Sequence, residues 1–469
     1  MGFTSETFLF IFLPVSVIAQ IIVGYKLNNQ KLSNLLLIGM SIVFYAWSGV
    51  RALLFFLVFS LLVYVMGRAV GKREKNAKTR LAVSVFLLIA VLAYYKYMCF
   101  AVSQLGSLLS RQITLDSIIA PAGISFIVFE SVSYVIDIYR GDAEAGTFLD
   151  ELLFLSLFPK ILSGPIVLWK DFKPQIENRS ISGDDISSGV DRIIIGFAKK
   201  TVIADTFGYQ KMLIDGAAGG IDCPTAWLCA LLYFFQIYYD FSGYSDIAIG
   251  LCRIFGFDIK ENFNFPYISK SVSEFWRRWH ISLGSWFREY VYIPLGGNRK
   301  GNVYLNLFGV FLLTGIWHGA NWTFMAWGIL NGLFVVLERY CRDKTWYRNT
   351  PDIVKWLFTT AVVFFGWIMF MSPDISSAFG FYKSMFVNNT AVPNFTWKYY
   401  LTTKTVILLI IAAAGSVMGA FGFAEKAKRF INGNETACTV KKLLYLGLFI
   451  IAMLFVVNST YSPFLYFQF

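Results

Sequence analysis

Two histidines, His280 and His318, are the only ones in 469 residues, so chemistry that needs a base near neutral pH has few places to occur. His318 lies in Leu312-Leu313-Thr314-Gly315-Ile316-Trp317-His318-Gly319-Ala320-Asn321-Trp322, between two apolar runs. A neutral imidazole at such a depth can take a proton from a hydroxyl. Gly315 and Gly319 would leave room beside it for a substrate or for a close-packed helix. The same residues also read as a packing motif whose histidine bonds a neighbouring helix. His280 lies in Ser271 to Tyr290, SVSEFWRRWHISLGSWFREY. At helical spacing the apolar residues there fill an arc of roughly 120°, with Arg277, Arg278, Arg288 and Glu289 opposite. One helix lying at the membrane interface is expected. His280, at the edge of its apolar face, is either a hydrogen-bonded residue of this anchor or a base. A third stretch, Tyr238-Tyr239-Asp240-Phe241-Ser242-Gly243-Tyr244-Ser245-Asp246, ends an apolar run with several hydroxyls and two carboxylates. An acid at membrane depth suggests function; alternatively Asp240 and Asp246 hold a helix break at Gly243.

The elements that carry these residues belong to a membrane protein. The chain is 57% hydrophobic and 15% charged, against roughly 25% charged for a soluble domain, and mean hydropathy is +0.58. A net charge of +12 could suggest nucleic acid. The Lys and Arg, however, cluster between apolar runs, as at 72–80, in the manner of cytoplasmic loops and anionic headgroup contacts. Spans of about 20 apolar residues are expected at 7–25, 33–48, 52–70, 81–103, 224–239, 303–317, 322–337, 353–371, 403–423 and 443–458. Less regular ones are expected at 121–139, 150–168 and 188–206. The total is about 11 transmembrane helices plus partial, re-entrant and interfacial ones: an all-α integral membrane protein, one membrane domain over 1–469 with its chemistry in 230–335. Basic loops after the first span and near the end place both termini outside. The first run has no basic leader or small-residue cleavage site and reads as a retained span. Six scattered cysteines form no CxxC pair, so neither a disulfide framework nor a metal site is expected.

Five central motifs then point further. They are Asp240-Phe241-Ser242-Gly243-Tyr244-Ser245-Asp246, Asn262-Phe263-Asn264-Phe265-Pro266-Tyr267, Glu274 to Leu283, Tyr292-Ile293-Pro294-Leu295-Gly296-Gly297-Asn298-Arg299 and Trp317 to Trp322. Together with Pro121 to Phe126, Phe158 to Ile166 and the tail Pro463 to Phe469, they resemble the bacterial membrane-bound O-acyltransferases (MBOAT family) over nearly the whole chain. Within that family the YIPLGGNR motif is most similar to the alginate O-acetyltransferase membrane-subunit branch, which also serves peptidoglycan or cellulose acetylation. Ala122 and Phe265 depart from the pattern without touching the histidines.

The resemblance implies an MBOAT bundle in the bacterial cytoplasmic membrane. It implies His318 as the catalytic histidine and His280 as its supporting partner. The donor would be a cytoplasmic thioester, acetyl-CoA in this branch, with no tightly bound cofactor, and the acceptor a hydroxyl arriving from outside. Asp240 could orient an imidazole or hold a helix break. Trp317 and Asn321 are candidates for stabilising the oxyanion, Arg277 and Arg278 for holding CoA phosphates or anchoring the helix, and Ser242 and Tyr244 for substrate contact. Expected partners are an extracytoplasmic SGNH-type acetyltransferase and the polysaccharide synthesis and export machinery. D-alanyl transfer to teichoic acid from a carrier-protein thioester is the alternative within the family. A transporter would use charges such as Glu130, Asp137 and Lys160, but should show paired internal repeats, and none is evident. A non-catalytic export scaffold would tolerate loss of His318.

Overall fold

The computed structural model describes all residues except 72–75, 112–114, 116–117, 218–219, 388–394, 422–433 and 459–469. The aromatic tail Pro463–Phe469 and much of the 72–80 and 426–442 basic clusters therefore lie outside the described residues. Those described are helical, with no strand among them. Six helices are long and apolar enough to cross a membrane: Phe8–Lys26 (α1), Val50–Gly71 (α3), Ala77–Leu108 (α4), Trp322–Cys341 (α14), Asp352–Met371 (α16) and Glu435–Asn458 (α20). Three more are apolar but shorter: Gln30–Ala46 (α2), Val303–His318 (α13) and Thr403–Val417 (α19). The expected total of about 11 is not confirmed by these six membrane-length and three shorter apolar helices among the described residues. Their outward faces are apolar: Phe86 on α4 is 70% exposed and Leu444 on α20 67%. Such faces require lipid as their solvent.

The packing divides into two units, residues 1–193 with 245–261, and residues 194–244 with 262–469. In the first unit α1 to α4 are joined by Ile124–Arg140 (α5), Phe148–Ser156 (α6), Trp169–Asn178 (α7) and the start of Gly183–Phe197 (α8). Gly123 and Gly141, both left-handed (φ 73° and 78°), bracket α5, a backbone conformation that costs glycine little. The expected span 121–139 is this helix, buried nearly throughout. The expected span 150–168 stops at Ser156 and continues as irregular chain.

A polar stripe on α5 accounts for that irregular chain. Glu130 pairs with Lys160 and its Oε1 accepts from the Val167 N–H. Ser133 Oγ accepts from Trp169 N–H at 3.4 Å, and Asp137 Oδ2 from Lys170 N–H at 3.0 Å. These residues, spaced at i, i+3 and i+7, satisfy backbone groups that non-helical chain would otherwise leave unmet. Glu130, Asp137 and Lys160, the charges a transporter would use, are engaged here in holding the fold.

The second unit contains the end of α8, the wide turns Ala198–Ala204, Asp205–Asp215 (α9), the first part of Cys223–Ile254 (α10), and everything from Asn262 onward. No break occurs at Gly243, because α10 is continuous through it. A Cβ at Gly243 would lie 2.8 Å from Gly196 O and 3.1 Å from Lys200 N, so this glycine permits a close approach of backbones. The helix expected over 271–290 is divided. Val272–Arg278 (α11) ends at Trp279, His280 adopts φ 45° and ψ 54°, and Ile281–Phe287 (α12) begins anew, running into wide turns to Tyr292. Its apolar face is buried in protein: Phe275, Trp279, Leu283, Trp286 and Phe287 are each at most 4% exposed. Periodicity grouped these apolar residues on one arc, but the arc faces protein instead of the membrane interface, and the single interfacial helix expected there is two short helices reversed at His280.

An aromatic core backs this region. The Trp367 ring lies 4.9 Å from that of Trp279 and 6.0 Å from that of Trp327, and Tyr267 stacks on Phe234 at 4.0 Å. The α13–α14 hairpin closes through small residues. A Cβ on Gly328 would sit 2.7 Å from Phe311 O, and one on Gly315 would be 3.1 Å from Gly328 Cα.

Candidate functional site

Both histidines line one cavity of about 740 Å³ inside the second unit. His280 and His318 are 3% and 5% exposed. Arg277, Arg288 and Arg342 on the same wall are exposed, and Arg339 half-buried. The cavity therefore runs from a cationic opening to two buried imidazoles. A loop, Tyr292 to Asn298, contributes at the opening, where Tyr292 OH donates to Asn298 Oδ1 at 2.8 Å.

His280 is placed by Asn262. The Asn262 Oδ1 accepts from His280 Nδ1–H at 3.1 Å, from Ser282 N–H at 3.2 Å and from Ser282 Oγ–H at 2.9 Å. An amide oxygen can only accept, so the proton is set on Nδ1 and the lone pair on Nε2. Ile281 N–H donates to Asn262 O at 2.9 Å, tying the left-handed turn to the same residue. A non-glycine residue with φ near +45° is held against strain of order 1–3 kcal/mol. Phe241 meets the ring edge-on at 4.6 Å. His280 lies outside the apolar spans, and burial pushes its imidazole down to about 3, so it is neutral at pH 7.

His318 is the last residue of α13, and Gly319 continues in extended conformation. Aromatic rings surround it: Trp317 at 5.0 Å, Trp327 at 5.2 Å and Phe370 at 5.1 Å, the last two edge-on. Both neighbouring glycines serve packing. Gly315 faces the backbone of α14, and a Cβ on Gly319 would enter the Phe324 ring.

The remaining candidates separate into those in the cavity and those elsewhere. Arg277 lines it; Arg278 instead bonds Glu274 Oε1 at 2.9 Å and Asn264 O at 3.1 Å. Trp317 is buried beside both imidazoles, 6.3 Å from the His280 ring. Asn321 caps α14 by accepting from Thr323 N–H at 3.0 Å, and its Nδ2 donates to Pro373 O at 2.6 Å. Asp240 is held by Lys200 at 2.7 Å, and the same ammonium reaches Asp205 at 2.5 Å. The orienting acceptor seen on His280 Nδ1 is Asn262. Ser242 and Tyr244 are buried in α10. Asp246, in the first unit, accepts from Arg192 at 2.8 Å. Sequence reasoning quoted Asn262 within a motif but gave it no role. It also passed over Arg339 and Arg342, whose place in the cavity depends on how the end of α14 lies against α11.

Comparison with known proteins identifies the family. Residues 35–377 match the family described as MBOAT, membrane-bound O-acyltransferase family. The chain is 40% identical, over the full length of both, to the probable alginate O-acetylase of Pseudomonas putida. It is 30% identical to the peptidoglycan O-acetyltransferase of Helicobacter pylori, over 100% of this chain and 97% of that one. Similarity to the teichoic acid D-alanyltransferase of Streptococcus thermophilus is 32% over 50% of this chain and 59% of that one. With membrane-length apolar helices and two imidazoles in one cavity, the chain belongs to the membrane-bound O-acyltransferase family and is an O-acyltransferase of the membrane.

Proposed function

We propose that this enzyme moves an acetyl group from a cytoplasmic thioester, acetyl-CoA, for O-acetylation of an extracellular or cell-wall polysaccharide. Alginate and peptidoglycan acetylases are full-length relatives, whereas the D-alanyltransferases are similar over about half the chain. The observation that carries the reading is that buried imidazoles and exposed arginines line the same cavity. Arginine suits phosphate recognition, so Arg277, Arg339 and Arg342 hold the polyanionic end of the donor while its thioester reaches the histidines.

His318 Nε2 takes the proton of the attacking hydroxyl as its oxygen bonds to the thioester carbonyl carbon. Collapse of the tetrahedral adduct breaks the C–S bond, and the proton passes to the departing thiolate. His280, neutral and fixed as the Nδ1–H form by Asn262, offers Nε2 to the same cavity as a supporting group. Trp317 and the second N–H of the Asn321 amide are the side-chain candidates for the oxyanion. Lys200–Asp240–Asp205 serves the fold around α10. An extracytoplasmic SGNH-type partner receives the acetyl group and delivers it to the polymer, in a cytoplasmic-membrane topology with both termini outside.

The test uses purified protein in nanodiscs with acetyl-labelled acetyl-CoA, with and without the partner from its gene cluster. Thioester loss that is competed by free CoA supports the reading. Absence of turnover with acetyl-CoA, together with turnover of a D-alanyl carrier-protein thioester, replaces it.

A further inference from the structure

A second cavity, of about 380 Å³, opens between α14 and α16 and shares only Glu338 with the first. Its walls are apolar: Val272 of α11, Phe334 and Leu337 of α14, Val354 and Phe358 of α16. Leu337, Val354 and Phe358 are 54%, 49% and 57% exposed. Because α14 and α16 are both membrane-length, the medium these side chains meet is lipid.

The polar groups gather by the first turn of α16. Lys270 Nζ meets Asp352 Oδ2 at 2.6 Å, and Lys355 Nζ bonds Arg348 O at 3.3 Å and lies 5.3 Å from the Tyr347 ring. An ammonium has three donors, so each lysine can take a further acceptor. The connection from α14 to α16 adds Arg342, Lys344 and Arg348 against Asp343, and the one acid on the groove wall, Glu338, accepts from Ser273 N–H at 3.0 Å. An apolar groove between spans, ending in an excess of cations and a tyrosine at a helix terminus, matches an amphiphile with an anionic head.

We propose that this groove binds an anionic phospholipid, with its phosphate on Lys355 and Lys270 and one acyl chain between α14 and α16 against Val272. The consequence reaches the catalytic cavity through one layer of side chains. Val272, 1% exposed, lines the groove and packs in one cluster with Val335, which lines the catalytic cavity. Val272 opens α11, the helix that carries Arg277 and ends at the His280 turn, and Val335 belongs to α14 packed against it. A bound lipid thus braces the element that orients the histidine.

Cys341 lines the groove and serves as a reporter in the full chain. Alkylation by N-ethylmaleimide is followed at Cys341 by peptide mass spectrometry, in nanodiscs of phosphatidylglycerol or of phosphatidylcholine. Cys341 reacts roughly tenfold or more slowly in phosphatidylglycerol, from about 1 kcal/mol per lysine, and Lys270→Gln/Lys355→Gln abolishes the difference. Native mass spectrometry of protein released from mixed nanodiscs finds phosphatidylglycerol retained by the wild type and lost from Leu337→Trp, which fills the groove at an exposed position. Equal protection by both lipids, or protection that survives the double lysine substitution, overturns the proposal.

Discussion

Replacing Asn262 with alanine removes one oxygen and strands several donors. That oxygen accepts from His280 Nδ1–H, Ser282 N–H and Ser282 Oγ–H, and Asn262 is fully buried. A buried donor left without an acceptor costs about 1–3 kcal/mol. Ser282 Oγ already lies 3.4 Å from His280 Nδ1 and can turn to accept from it, so one loss is recovered. The backbone N–H of Ser282 loses this acceptor, and the left-handed turn at His280 loses a constraint. The net cost is about 2–4 kcal/mol, read as a lowered midpoint of thermal unfolding in detergent. Catalysis falls further than stability, because the ring is no longer held as one tautomer; a loss of at least about tenfold in kcat/KM is expected in protein still folded at the assay temperature. Asn262→Asp keeps an acceptor at the same place and retains more stability, while its negative charge favours the His280 imidazolium and shifts the pH profile upward. An Asn262→Ala enzyme with wild-type midpoint and wild-type turnover would refute the reasoning.

Other perturbations give equally definite outcomes. His280 is held near pKa 3 in the folded protein against about 6.5 unfolded, so the unfolded state binds the extra proton between these values. Its contribution is present above about pH 6.5 and is lost as pH falls, by about 2 kcal/mol at pH 5; unfolding midpoints of the wild type should fall over this window more steeply than those of His280→Gln. Lys200→Met leaves Asp240 and Asp205 buried without their cation and costs about 3–5 kcal/mol, seen as loss of monodisperse protein on size exclusion. Gly328→Leu forces α13 and α14 apart and abolishes folding, with Gly328→Ala intermediate, since even one methyl would stand 2.7 Å from Phe311 O. Arg277→Ala and Arg342→Ala each raise KM for acetyl-CoA by about tenfold and leave a donor lacking the nucleotide unaffected; equal effects on both donors would contradict phosphate binding.

Much of the site was legible because it is written in residue types. With two histidines in the chain, there was little choice of imidazole, and the apolar flanks of His318 placed it at depth. The apolar arc of 271–290 also followed from spacing, although it was assigned to the membrane interface and is buried in protein. What could not be read were features fixed by contacts distant in sequence. The division of that helix depends on Asn262 gripping residues 18 and 20 positions later. Asp240 looked available to an imidazole until Lys200, forty residues earlier, was seen to hold it. Glu130 and Lys160 are likewise a pair across 30 residues. The expected span 150–168 was not a continuous helix, because the backbone of Leu157 to Leu168 is satisfied by the polar stripe of α5 instead of by helical bonds.

The central claim is that His318 is the base of the acyl transfer. Single-turnover loss of the labelled thioester, with partner and acceptor present, should be compared between wild type and His318→Ala in protein of matched unfolding midpoint. The account predicts a fall of about 10²–10⁴ in rate, with donor affinity retained through the arginines. Equal rates in the two proteins would contradict it.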